Sequence, residues 1–256
     1  MPGVLFTMSV TTQLGQNNDS MKIITWNCHQ AYRKKANLIL EYCPDIVVVQ
    51  ECEELSRLQF TLETQMPNDS FWYGDDKNKG IGVFSYSDFQ IESLSCHNPD
   101  FEYVIPLRIY NSNQEFIVLA IWTKPNAKGN YTKQIWNAID YYFELISTEH
   151  IIILGDFNSS SSFDKPGRES NHTNIVEKLS QNRIHSAYHH HYSLSQGDEQ
   201  HPTLYHQYNM DSPWHIDFCF LSESLLDKVS NVEIGQYEHW VKPRHSDHCP
   251  LIVSFD

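Results

Sequence analysis

The sequence predicts an α/β fold in which two packed, mixed β-sheets are covered by helices. Apolar runs of strand length alternate with helical periods, a middle block of short extended runs has no helical period, and a β-branched run at residues 151–154 is apolar at every position. A strand of that last kind is buried on both faces and demands a layer on each side.

Residues 1–20 are polar and aperiodic, close on Gln16-Asn17-Asn18-Asp19-Ser20, and are expected to be a disordered leader, with Met21 an alternative start. The first strand opens at Met21-Lys22-Ile23-Ile24. Tyr32, Ala36, Ile39 and Leu40 then share one helical face, and residues 45–50 read as a buried strand, which makes a β-α-β opening. Extended runs at 80–85, 89–94, 103–109 and 115–122 follow, separated by turn residues, and are expected to pair antiparallel. Ile135, Ala138, Ile139, Tyr142, Leu145 and Ile146 describe one amphipathic helix that delivers the chain to Ile151-Ile152-Ile153-Leu154. Later strands are expected at 214–221 and 249–255. No internal repeat is detectable.

At 256 residues and 40% apolar composition, the chain can bury one large core, and no linker divides residues 21–256. No secretory signal and no apolar stretch of membrane-spanning length is found in the sequence, so no membrane partner is expected. Six cysteines lie scattered without a C-x-x-C pair, several of them in apolar strands. That usage suits reduced thiols and a cytoplasmic setting. The net charge of −14 opposes a broad nucleic-acid footprint, because such binding is driven by Lys and Arg displacing counterions. A local cleft remains compatible with a phosphate-bearing substrate, since a divalent cation offsets acidic ligands where the phosphate enters. No obligate protein partner is evident.

Polar clusters end or begin several strands: Trp26-Asn27, Gln50-Glu51, Asp156 with Asn158, Trp214-His215-Ile216-Asp217 and Ser246-Asp247-His248. Gly155-Asp156-Phe157-Asn158 by itself is also an ordinary turn. If the strands are neighbours, Asn27, Glu51, Asp156, Asn158, Asp217, Asp247 and His248 meet on one rim. They offer hard oxygen ligands for Mg²⁺, a carboxylate to orient or deprotonate water, an amide donor, and an imidazole with a carboxylate partner.

The order Trp-Asn, Gln-Glu, Gly-Asp-x-Asn, Trp-x-x-Asp and Ser-Asp-His, spread from Lys22 to the C-terminus, resembles the endonuclease/exonuclease/phosphatase family of metal-dependent phosphoesterases. The resemblance implies a four-layer α/β sandwich with its site at one edge of the paired sheets. It implies Glu51 as principal ligand of a Mg²⁺ ion (Mn²⁺ as substitute), with Asn27 and Asp247 close to it. It also implies Asp156 orienting and activating water, Asn158 holding that water or a phosphate oxygen, and His248, paired with Asp217, donating to a nonbridging oxygen. Trp214 is read as packing. In the apurinic-endonuclease branch a Trp at this offset lines a substrate pocket.

Two departures from the family pattern stand out. Many members end the strand at 116–122 in a His or Tyr that contacts the phosphate or leaving group, where this chain has Trp122, followed by Thr123. Indole donates one hydrogen bond and shuttles no proton, so Tyr131 and His172 are the candidates for that role. His29 stands where some relatives carry an Asp, and imidazole is a poor magnesium ligand. Among weaker signals, Lys77, Lys79 and Gly80 read as a solvated turn, Arg33, Lys34 and Lys35 as the exposed side of the early helix, and His189-His190-His191 as an irregular surface segment. The expected function is Mg²⁺-dependent phosphodiester hydrolysis, as a nuclease on DNA or RNA. Hydrolysis of a small phosphoester such as a nucleotide or inositol phosphate is the alternative, and a non-catalytic binding module on the same fold a further one.

Overall fold

The apolar runs form two six-stranded sheets packed face to face in a computed structural model that describes residues 20–125, 131–147 and 150–256. Residues 1–19 of the expected leader lie outside the described residues. The chain opens with β1 (Met21–Asn27), α1 (Ala36–Leu40) and β2 (Ile46–Cys52), followed by β3 (Asp69–Asp76) and β4 (Lys79–Ser85). The second sheet begins with β5 (Gln90–Ser93), β6 (Val104–Tyr110) and β7 (Glu115–Trp122). Helices α2 (Tyr131–Tyr141) and α3 (Phe143–Ile146) lead to β8 (Ile151–Asp156), then α4 (His172–Gln181), β9 (Ile184–Ser186) and α5 (Ala187–Tyr192). The last part holds the small ribbon β10 (Leu204–Tyr205) and β11 (Pro213–Trp214), then β12 (Asp217–Ser222), α6 (Glu223–Leu226), β13 (Val229–Ile234), α7 (Tyr237–Trp240) and β14 (Leu251–Phe255).

The strand orders are β13-β14-β1-β2-β4-β3 and β5-β6-β7-β8-β12-β9. β1 with β2 and β7 with β8 run parallel, and each pair occupies the middle of its sheet with its crossover helices between. The antiparallel pairing expected in the middle block is present in β3 with β4, β5 with β6 and β6 with β7.

Side-chain alternation along a strand decides where the polar termini point. In β8, Ile152 and Leu154 belong to the core between the sheets, while Ile151 and Ile153 belong to the core under α2 and α4. That division explains why the run is apolar throughout. Continuing the alternation puts Asp156 on the inter-sheet side. Val118 and Ala120 do the same for Trp122, and Cys219 and Leu221 for Asp217. Register completes the arrangement, since Asp156 lies opposite both Trp122 and Asp217.

Several local expectations are corrected. The single helix over 135–146 is two, broken at Tyr142, whose buried hydroxyl accepts from the Asn98 backbone N–H at 2.9 Å. The strand expected at 214–221 is interrupted at His215-Ile216, because Thr203 Oγ1 takes the backbone N–H groups of both Ile216 and Asp217 at 3.0 Å. The three-histidine segment is α5, a short helix with His189 turned inward onto Ser186 and Glu199. All six cysteines are free, with Cys43 and Cys96 exposed and the other four buried. No helix among the described residues is long and apolar enough to cross a membrane.

Candidate active site

The edge where β1, β2, β7 and β8 end collects the polar residues anticipated there. Asn27 closes β1, and its Nδ2 donates to Asp156 Oδ2 at 2.9 Å across the two sheets. That donation turns the amide oxygen away from Asp156, and it accepts from the His29 backbone N–H at 3.1 Å. Asp156 Oδ1 accepts from the Asn158 backbone N–H at 2.9 Å. Asn158 takes a left-handed conformation, φ 47, and its Nδ2 donates to the Thr123 carbonyl at 3.1 Å. A short polar side chain tolerates that backbone, which suits Asn to this corner.

His248 faces Asp156 from the first sheet. Its Nδ1 donates to Asp217 Oδ2 at 2.9 Å, and its Nε2 stands 4.0 Å from Asp156 Oδ2. The backbone around it is tied down: Ser246 Oγ donates to the Asn27 carbonyl at 2.7 Å and accepts from the His248 N–H at 3.0 Å, and the Trp26 indole donates to the His248 carbonyl. Asp156, Asp217 and His248 are all buried. Burial works against charge on the His248 imidazole, but Asp217 and Asp156 together outweigh it and hold the group up to about 10. Burial and the neighbouring Asp217 push the Asp156 carboxyl up to about 7, against the opposing pull of His248 and Asn27. A base whose pKa lies near neutrality is suited to taking a proton from water.

Glu51 stands at a bulge where the pairing of β2 with β4 shifts register, with φ 58. Lys79, from the turn that the sequence left to solvent, donates to Glu51 Oε2 at 2.8 Å. Asp247 Oδ1 is 3.4 Å from His29 Nδ1. Two sets of side chains carry donor chemistry for a cation. Asp156, Asp217 and His248 offer ligand atoms within 4.8 Å of one another, but these atoms are engaged in the hydrogen bonds just described, and imidazole suits transition metals better than magnesium. Glu51, Asp247 and the Asn27 amide oxygen are oxygen donors of the kind a hard cation takes, and here they are engaged by Lys79, His29 and the His29 backbone N–H respectively.

The candidates for the role vacated at Trp122 fall in different places. Trp122 is buried, edge-on to Tyr103 with ring centroids 4.9 Å apart, and Lys124 Nζ lies 4.4 Å above its ring. Lys124, which the sequence reading passed over, therefore brings a cation to this corner; its position two residues past the strand end was the available signal. Tyr131 is exposed in a cavity it shares with Asn158 and Trp214. His172 is fully buried behind that wall, hydrogen-bonded to Ser159 Oγ at 2.9 Å and Gln196 Oε1 at 3.3 Å. It supports Ser159 and is not presented to the cavity. Two of the basic residues assigned to a solvated surface are also engaged: Arg33 pairs with buried Glu53 at 2.6 Å, and Lys35 Nζ donates to the Cys28 carbonyl.

Burial lowers the His172 imidazole to about 4. Its folded value lies below its unfolded one, so the stability it permits is complete above about pH 6.5 and is lost as pH falls toward 4. Asp156, with a raised folded value, acts in the opposite sense over the same range, so the reading is a difference between proteins. Between pH 7 and 5, His172→Gln loses about 2 kcal/mol less unfolding free energy than the unsubstituted protein, measured by urea denaturation. Parallel pH profiles contradict this.

Two packed mixed sheets with a carboxylate, amide and imidazole cluster at one edge define a phosphoesterase-type hydrolase. The profile of the Endonuclease/Exonuclease/phosphatase family matches residues 24–248, and the chain belongs to that family. No curated protein sequence matches the chain. Among solved structures it is similar to the 3' phosphatase NExo from Neisseria bound to a product DNA hairpin, at 16% identity and TM-score 0.66, covering 92% of this chain and 99% of that one. An AP endonuclease from Archaeoglobus fulgidus is similar at 16% identity and TM-score 0.64, with 92% and 99% covered. The AP endonuclease LMAP from Leishmania major gives 12% identity and TM-score 0.68, with 98% and 92% covered. At these identities the likenesses establish the fold, a helix-covered sandwich of two sheets.

Proposed function

We propose that this chain is a Mg²⁺-dependent phosphodiesterase that acts on nucleic acid, with Mn²⁺ as a substitute ion. The observation that carries this reading is the hydrogen-bonded line from Asn27 through Asp156, facing His248 and Asp217. Glu51, with Asn27 and Asp247, would hold the ion. When bound, Mg²⁺ acidifies coordinated water and neutralises charge on phosphoryl oxygens. Asp156 orients the attacking water and accepts its proton, with Asn158 fixing the carboxylate through its backbone N–H. His248 donates its Nε2–H to a nonbridging phosphate oxygen, and Asp217 keeps the imidazole charged and in position. Lys79 and Lys124 add positive charge at the mouth of a site in an otherwise acidic protein.

Expected in assay is cleavage of DNA or RNA that stops in EDTA and returns with Mg²⁺ or Mn²⁺. Turnover confined to mononucleotides or inositol phosphates assigns the site to a small phosphoester instead. Absence of divalent binding in calorimetry together with no hydrolysis of any phosphoester sinks the enzymatic reading.

A further inference from the structure

The oxygen donors at the mouth of the site are engaged by groups of this chain itself, and one of those groups is a long, flexible cation. Lys79 Nζ donates to Glu51 Oε2 at 2.8 Å, with the two side chains 37% and 15% exposed. This is the one ion pair that Lys79 makes among the described residues. The backbone is bent where the contact forms. Glu51 sits at the bulge between Gln50 and Cys52 with φ 58, a left-handed conformation that a non-glycine residue adopts only at a cost.

Lys79 opens β4 on the other side of that bulge, and the turn that carries it is fixed. Its backbone pairs with Asp76, whose Oδ1 accepts from both the backbone N–H and the Nδ2 of Asn78 at 2.9 Å. The Glu54 N–H donates to the Lys77 carbonyl at 2.9 Å. A four-carbon stem on a fixed backbone lets the ammonium change partner while the strands stay where they are. Lys124, the other cation at this mouth, is already placed over the rings of Tyr103 and Trp122 at 3.9 and 4.4 Å. It is near enough to Glu51 and Lys79 for its charge to act on both. A divalent ion arriving at Glu51 therefore meets two ammonium groups, and the repulsion is relieved when the one on Glu51 itself leaves. A phosphoryl oxygen is the opposite case, an anionic acceptor that a compact ammonium donor suits.

We propose that Lys79 competes with the divalent ion for Glu51 and, once displaced, binds a phosphoryl oxygen of the substrate. The inference rests on the phosphodiesterase reading above and makes Lys79 a phosphate-binding residue only after the ion has taken Glu51. Phosphate that draws Lys79 to itself also frees Glu51, so ion and phosphate bind cooperatively. By linkage each raises the affinity for the other by the same factor, and Lys79 supplies part of it.

The test is calorimetry on the full chain, with Mg²⁺ alone and with inorganic phosphate. Lys79→Met binds Mg²⁺ about 5- to 20-fold more tightly than the unsubstituted protein, because the competitor is gone. At saturating Mg²⁺ the same variant binds inorganic phosphate about 10-fold more weakly, whereas in EDTA the two proteins differ by less than about 2-fold. Lys77→Met removes an equal charge from the same turn, where it pairs with Glu54, and moves neither affinity by more than about 2-fold. A melting curve in EDTA confirms that each variant is folded. If Lys79→Met binds Mg²⁺ no more tightly, or weakens phosphate equally with and without Mg²⁺, Lys79 keeps one partner throughout; the inference is then overturned while the phosphodiesterase reading stands. If neither protein binds Mg²⁺, that reading fails and the inference falls with it.

Discussion

Replacing Asp156 by Asn lowers kcat/KM for phosphodiester hydrolysis by about 10³- to 10⁴-fold. Three losses combine. The amide no longer accepts the proton of the attacking water. One of the carboxylates that keep His248 charged disappears, so the imidazole is less fully protonated when it meets the phosphate. The third loss is geometric, because Asp156 accepts on both oxygens, from Asn27 Nδ2 and from the Asn158 backbone N–H. An amide in the same place must turn its own NH₂ toward one of these donors, and an unsatisfied buried polar group costs about 1–3 kcal/mol. The near-isosteric exchange also relieves a buried carboxylate of its desolvation penalty, so thermal unfolding changes little while activity collapses. Steady-state kinetics at saturating divalent ion, paired with a melting curve, decide the matter. A loss below about 10-fold removes Asp156 from the role of base.

Gly155→Ala destabilises the fold by about 3 kcal/mol or more, a large part of the 5–15 kcal/mol typical of a domain. Gly155 has φ +141, and a Cβ there would lie 1.9 Å from the carbonyl oxygen of Ile121 and 3.0 Å from Gln50 Nε2. Ile121 is its partner in the parallel pairing of β7 with β8, so relief requires the two central strands of the sheet to part. That movement would also displace Asp156, the next residue. The contrast is Gly167→Ala, where φ is +73 and nothing lies within 4 Å of the added carbon. It costs only left-handed strain, about 1–2 kcal/mol. Urea denaturation of both variants gives the comparison. Equal costs for the two would show that the close approach of Ile121 is absent in solution.

Not every element was equally legible. Among the strands that went unrecognised, β3 and β13 lie at the two edges of the first sheet and β9 at one edge of the second. β3 is half-buried along most of its length and β13 alternates irregularly, so neither carries the continuous apolar signature of β2 or β8. An edge strand is covered on fewer sides and its composition is correspondingly mixed. Helix α5 was hidden for a different reason. Histidine reads as a surface residue, but His189 turns inward because Ser186 and Glu199 satisfy both ring nitrogens. Lys79 looked like part of a solvated turn, and only the register shift between β2 and β4 brings it onto Glu51.

By itself the sequence determined which strands are buried on both faces and which polar residues terminate them, because burial and alternation are local properties with a period of two. Tertiary structure alone decided which of those termini touch. Asn27 meets Asp156 across 129 residues and Ser246 meets Asn27 across 219. Such contacts depend on strand order, and no local period encodes strand order. The cavity beside Asn158 belongs to the same class, since Phe163 and Arg168 are unremarkable in sequence and join Trp214 only when β8, the start of α4 and the β10–β11 ribbon are packed together.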